Sequence, residues 1–268
     1  MQKLRVRYAK RGRMRFTSHR DLARAFERTL RRTGVPMAYS QGFNPHPKVS
    51  WAGAVPTGVA SEAEYVELQL VERVDPGVVR DELDAALPAG MDVLDVVEAT
   101  SGSLADRLEA SRWCIQVPGV SADELRHAVE RLLAESGVEV ERMGKDGMRT
   151  LDARAAVVAA EVVEPVTVAG SVAADSDGHD TFTPRMDDWP TSCEPYGILV
   201  TVVRQTTPVV RPDDVLSALR VVADLAPSAA PRAVRWEQGR LDDTGVLADP
   251  LAQDRAAAGA RRGEPAAG

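Results

Sequence analysis

Cysteine is nearly absent from this chain: Cys114 and Cys193 are the only two among 268 residues. Two distant thiols can build neither a disulfide framework nor a cysteine-bound cluster. Aromatic residues are scarce as well, at 4%. No run approaches the roughly 20 apolar residues of a membrane helix, and the opening MQKLRVRYAKRGRMRF lacks the apolar core of a secretory signal. Together these absences fit a cytoplasmic protein. No GxxxxGKS/T or GxGxxG string follows a predicted strand, so a phosphate-cradling glycine loop has no support. His19, His46, His127 and His179 show no metal-ligand spacing. No metal or other cofactor is therefore expected in the chain, and His127 and His179 read as an exposed helix residue and a loop residue.

What the chain does have is charge, unevenly divided. Residues 1–50 hold 13 Lys or Arg against Asp21 and Glu27, a net of +11, within a whole chain of −7. The remainder carries 20 basic and 38 acidic residues, a net of −18. Such asymmetry points to a polyanion-facing end on an acidic body.

Hydrophobic periodicity divides the chain into two similar halves. LRVRYA alternates Leu4, Val6 and Tyr8 against basic residues, predicting a strand with a basic outer face that RMRFTS resumes after Gly12. Ser18 predicts an N-cap, with Asp21 as a weak capping-box partner, for a helix over His19–Thr33 that buries Leu22, Phe26 and Leu30 and stops at Gly34. Arg20, Arg24 and Arg28 fall on its outer stripe. A hairpin of VPMAYS and KVSWAGAVP follows, then the strand EYVELQLVERV, a helix opened by Asp75-Pro76, and the strand MDVLDVVEA. The second half repeats the pattern, with Ser121 and Glu124 as a capping box, a hairpin of VEVERM and RTLDARAAVVAAEVV, and a helix opened by Pro212. The order predicts an α+β fold of two tandem ferredoxin-like (βαββαβ) domains with antiparallel sheets, residues 1–103 and 104–245. A polar loop insertion at 171–195 and a disordered tail over 246–268 complete the expectation.

Between the first hairpin's arms lies SQGFNPHPK, Ser40 to Lys48. Pro45 and Pro47 remove donors, fix two φ angles and push Asn44 and His46 towards extended backbone. The loop is thus stiff while presenting polar side chains. Gln41, Asn44, His46 and Lys48 supply hydrogen-bonding groups for bases, sugars or phosphates, and Phe43 a stacking face. Arg13, Arg15, Arg20 and Arg24 supply phosphate contacts. His19, at the helix start, joins His46 as a titratable group near neutrality.

The stretch from Lys3 to Leu70, and SQGFNPHPK above all, closely resembles the radical-SAM-linked protein family of unknown function, in its standalone form. The likeness thins to RTLDAR at Arg149–Arg154 and RPDDVL at Arg211–Leu216. It implies a non-catalytic accessory role beside a radical-SAM protein in RNA modification. The iron–sulfur cluster and S-adenosylmethionine would then belong to that partner, since two isolated cysteines cannot hold a cluster. RNA is the expected ligand and no membrane is. Two alternatives stay open. One is a metal-independent RNA-processing endonuclease using His19 or His46 as acid or base, the activity of CRISPR repeat-processing enzymes with similar tandem folds. The other is a protein-only scaffold for the radical-SAM enzyme. Secondary candidates are Asp152 and Arg154, expected on one face of a strand with Arg149 nearby, and Arg211, whose helix N-terminus favours anions.

Overall fold

The protein is described by a computed structural model covering residues 1–144, 147–164 and 196–263, the side chains of 261–263 excepted. The 171–195 insertion, with His179 and Cys193, lies outside the described residues. In chain order the elements are β1 (Gln2–Lys10), α1 (His19–Thr33), β2 (Val49–Ala52), β3 (Ala60–Leu70), α2 (Pro76–Ala86) and β4 (Val93–Glu98). There follow β5 (Ala110–Pro118), α3 (Ala122–Ala134), β6 (Glu139–Gly144), β7 (Gly147–Asp152), α4 (Ala153–Ala156) and β8 (Val157–Val163). The described chain closes with β9 (Tyr196–Arg204), α5 (Pro212–Ala223), β10 (Arg232–Leu241), β11 (Leu247–Ala248) and α6 (Ala252–Gly263). The architecture is mixed α+β with mostly antiparallel strands. Among the described residues no helix is long and apolar enough to cross a membrane.

Two units form. One joins Met1–Ser111 to the chain from Val234 onward, and the other spans Arg112–Ala233. The division expected near residue 104 is therefore displaced by a few residues, and most of β10 belongs with the first unit. There it runs parallel to β3 through Val234↔Ala60 and Arg235↔Ser61. Gly239 is required in it, because a Cβ there would run into the Ala248 carbonyl oxygen of β11.

In the first unit β1 lies between β3 and β4, antiparallel to both, and β2 pairs antiparallel with β3. Leu4, Val6 and Tyr8 of β1 and Val66, Leu68 and Leu70 of β3 face Leu22, Phe26 and Leu30 of α1 and Val79 and Leu83 of α2. The predicted register of α1 holds throughout. Ser18 accepts from the Asp21 N–H at 3.2 Å, and Gly34 closes the helix at φ +73°, a left-handed position that disfavours a side chain. Asp75 caps α2, and the Ser121–Glu124 capping box opens α3 as the pattern predicts.

The opposite sheet face departs from expectation. Arg5 is fully buried and Lys10 only 2% exposed, so of the basic residues of β1 only Lys3 stays exposed, with Arg7 half-buried. Up to Gly263, where the described residues end, the segment predicted as a disordered tail folds instead, and α6 covers this face. Leu251 packs with Tyr65, Val97, Leu104 and Leu108. Asp254, also fully buried, accepts from both Arg5 and Arg107, and from the Thr100 N–H and hydroxyl. Arg5 Nε also donates to Glu67 at 3.0 Å and its Nη2 to the Gly102 carbonyl at 2.6 Å.

Three further predicted strands are corrected. RMRFTS does not resume β1, because Gly12 at φ +53° turns the chain into a short 3-10 helix over Gly12–Phe16. VPMAYS makes only the isolated bridges Met37↔Leu70 and Tyr39↔Pro47. RTLDARAAVVAAEVV breaks at Asp152, whose carboxylate accepts from Val138 and Ala155 N–H at 3.0 and 3.2 Å. That cap starts α4 in an alanine-rich stretch, and β8 then pairs with β9. In the second unit β9 lies between β5 and β8.

Candidate nucleic-acid interface

The stiff loop is a hairpin tip closed at its neck. The Ser40 N–H donates to the His46 carbonyl at 2.8 Å, and the His46 N–H donates to Ser40 Oγ at 3.0 Å. Below them the Lys48 N–H donates to the Ala38 carbonyl, and the Lys48 carbonyl accepts from the Gln69 N–H of β3. Pro47 is buried in this neck while Pro45 stays at the surface. The tip thus projects Gln41, Phe43, Asn44 and His46 outward from a braced base, with Phe43 at 100% exposure. A fully exposed Phe on a tethered loop forfeits the burial free energy, about 1.5–3 kcal/mol, that apolar side chains gain elsewhere.

The helix start lies beside the strand that leaves the loop. The exposed His19 ring meets Trp51 of β2 edge-on at 5.3 Å, and Trp51 meets Phe26 at 5.3 Å and Tyr8 at 6.0 Å. His19 is therefore the outermost ring of an aromatic stack that ends in the core. His46 sits in the loop neck, and among the described residues no hydrogen bond or ring contact joins it to His19. Arg15 lies over the ring of Phe16, 4.6 Å from its centroid, and its carbonyl accepts from the Gly58 N–H at 2.7 Å. Phe16 is 60% exposed.

The cations of the first 50 residues fall into two sets. Arg5 is consumed by Asp254 and Glu67, and Arg11 is clamped between Glu62 and Asp92, where the Glu62 carboxylate above all raises its pKa well beyond the usual value. Arg13, Arg20, Arg28 and Lys48 are exposed and make no ion pair among the described residues. Arg24 has only a 3.6 Å exposed pair with Asp21, worth little in water. The α1 stripe and the 3-10 turn thus present uncommitted positive charge.

The secondary candidates fare differently. Asp152 and Arg154 do not share a strand face, since Asp152 caps α4 and Arg154 is inside it. Arg154 donates to the Val157 and Leu133 carbonyls at 3.1 and 3.3 Å. Arg211 is exposed, but its helix N-terminus already holds a carboxylate. Asp214 accepts from the Arg211 N–H at 2.7 Å and pairs with Arg142. Trp51 and Phe16, missed above as site residues, both stand in the stretch that carries the resemblance. Aromatics so rare in the chain were the available signal.

Comparison with known proteins adds the family. Among curated proteins none matches the chain. Among solved structures, the first two RRM domains of yeast poly(U) binding protein match at 9% identity, over 87% of this chain and 97% of that one. The TM-score is 0.22, too low for that likeness to bear on fold or function. The family model described as "uncharacterized protein conserved in bacteria" (DUF2344) matches residues 3–212, from β1 into the start of α5. The chain belongs to that bacterial family.

Proposed function

We propose that the protein binds structured RNA through the SQGFNPHPK tip and the α1 stripe, and presents it to a radical-SAM partner that performs the modification. Each unit is read as a ferredoxin-like fold; in the first, the βαββαβ order with β1 between β3 and β4 and β2 outside β3 supports this. The observation that carries the reading is Phe43, fully exposed on a tip whose neck is hydrogen-bonded shut. Stacking on a base gives such a ring the contact that folding does not. Gln41, Asn44 and His46 flank it with donors and acceptors, and Arg13, Arg20, Arg24 and Arg28 supply charge for phosphates.

Fluorescence anisotropy with a labelled RNA hairpin tests this. Phe43→Ala should keep the melting temperature and lose about 1–3 kcal/mol of binding, the range for one base–aromatic stack. Wild-type binding that Phe43→Ala leaves unchanged would remove the tip from the interface. Metal-independent cleavage of that RNA, abolished by His19→Ala or His46→Ala, would replace the accessory reading with the endonuclease.

A further inference from the structure

The face of the first sheet that α6 covers is covered only in part. Strand alternation puts Lys3 and Arg5 of β1, Glu67 and Gln69 of β3, and Ser50 of β2 on that face, through the pairs Lys3↔Gln69, Arg5↔Glu67 and Ser50↔Glu67. Arg5 lies under α6. Beyond it a cleft of about 320 Å³ opens, lined by Lys3, Lys48, Ser50, Glu67 and Gln69. That volume is at the lower end of small-molecule sites, about 300–1,000 Å³.

We infer that this cleft is a binding site for one phosphate-bearing nucleotide. Its charge balance is the first argument. Glu67, whose side chain is 14% exposed, is already paired with the buried Arg5 at 3.0 Å. Lys3 stands 3.7 Å from Glu67 with half its side chain in solvent, so it is not needed to neutralise the carboxylate. Lys48 has no ion pair among the described residues. The cleft therefore holds two exposed ammonium groups beside a carboxylate that is satisfied without them, which suits a phosphate. The second argument is the mixture of groups. The Ser50 hydroxyl, the Gln69 amide and Glu67 line the same cleft as the lysines, giving a base edge both donors and acceptors. A carboxylate selects a base with an exocyclic amino group, as on cytosine, over one with a carbonyl there, as on uracil. The third is preorganisation. Arg5 holds Glu67, and backbone hydrogen bonds to Ala38 and Gln69 hold Lys48, so little order must be imposed on binding.

Lys48 ends the stiff loop, so the site adjoins the proposed RNA-binding tip but does not depend on it. The nucleotide is either free or a terminal unit of RNA. Calorimetric titration of the full chain with CMP, UMP and inorganic phosphate decides. CMP should bind more tightly than UMP, and phosphate most weakly. Lys3→Ala with Lys48→Ala should weaken CMP binding by about tenfold or more at unchanged melting temperature, both residues being exposed. Arg20→Ala, Arg24→Ala and Arg28→Ala together should leave it unchanged. No CMP binding at millimolar concentration, equal affinity for all three probes, or binding indifferent to the lysine pair would each overturn the inference. A 5′-phosphorylated hairpin that outbinds its 5′-hydroxyl twin only when Lys3 and Lys48 are present identifies the source as an RNA end. Equal hairpins with intact CMP binding identify a free nucleotide. Hairpin binding without CMP binding sinks the cleft and spares the RNA reading; the converse spares the cleft alone.

Discussion

Asp254 carries an unusual load for one carboxylate, accepting from two guanidinium groups, an amide and a hydroxyl at once. Burial alone would raise its pKa, but the Thr100 bonds and Arg5 outweigh that, and the carboxyl sits below its ordinary value. A depressed folded-state pKa means stability that is fully present above the unfolded value of about 3.9 and is lost as pH falls through the folded one. The first unit should therefore loosen below about pH 4, starting at α6. Asp254→Asn imposes much of that loss at neutral pH, since it leaves Arg5 and Arg107 facing an uncharged group. The cost of breaking such a buried pair is about 3–5 kcal/mol. Urea melts at pH 7 and pH 3.5 should show a large gap between wild type and variant at the first pH and a smaller one at the second. An equal gap at both would detach the stability from the charge.

At the scale of elements, α1 and the loop make separable predictions. Replacing Arg20, Arg24 and Arg28 by Ala removes exposed cations and no packing, so the melting temperature should hold. The slope of log affinity against log salt should flatten by about 2–3 if all three meet phosphates. An unchanged slope places the polyanion elsewhere. Pro45→Ala with Pro47→Ala keeps every contact group but frees the tip, and binding should weaken through the added ordering entropy; wild-type affinity would mean the hydrogen-bonded neck alone holds the loop. These elements were legible because their signals are local. Ser18 and Gly34 bound α1 within its own sequence, and Asp75, Ser121 and Glu124 do the same for α2 and α3. The break at Asp152 was not legible, because one of its two partners is the Val138 amide across the hairpin. Trp51 and the cleft share that difficulty: which groups meet depends on how β1, β2 and β3 register.

For the whole molecule, composition misled where distant partners decide. An Ala-, Gly- and Arg-rich tail has little to bury by itself and reads as disordered. Leu251 and Asp254 order it against Tyr65, Leu104, Leu108 and Arg5, contacts that no window of sequence contains. The net charge of the first 50 residues misled in the same way, since Arg5 and Arg11 serve internal carboxylates. Deleting residues 250–268 should uncover the second face of the first sheet. Hydrogen exchange should then quicken in β1 and β4, and a dye that reports exposed apolar surface should bind, while β9 in the second unit keeps its protection. Exchange unchanged in β1 would show α6 to be an ornament on a complete unit.

The joining of Met1–Ser111 to the chain beyond Val234 also has a consequence for biosynthesis. The first unit begins to leave the ribosome before the second and is finished only after it. At about 5–20 residues per second, the intervening second unit takes on the order of ten seconds to emerge. For that interval the Arg5 guanidinium and the apolar patch around Tyr65 and Val97 wait without their cover. The nascent chain is then at its most exposed to chaperones and to unwanted association, and the closing step is the arrival of Leu251 and Asp254.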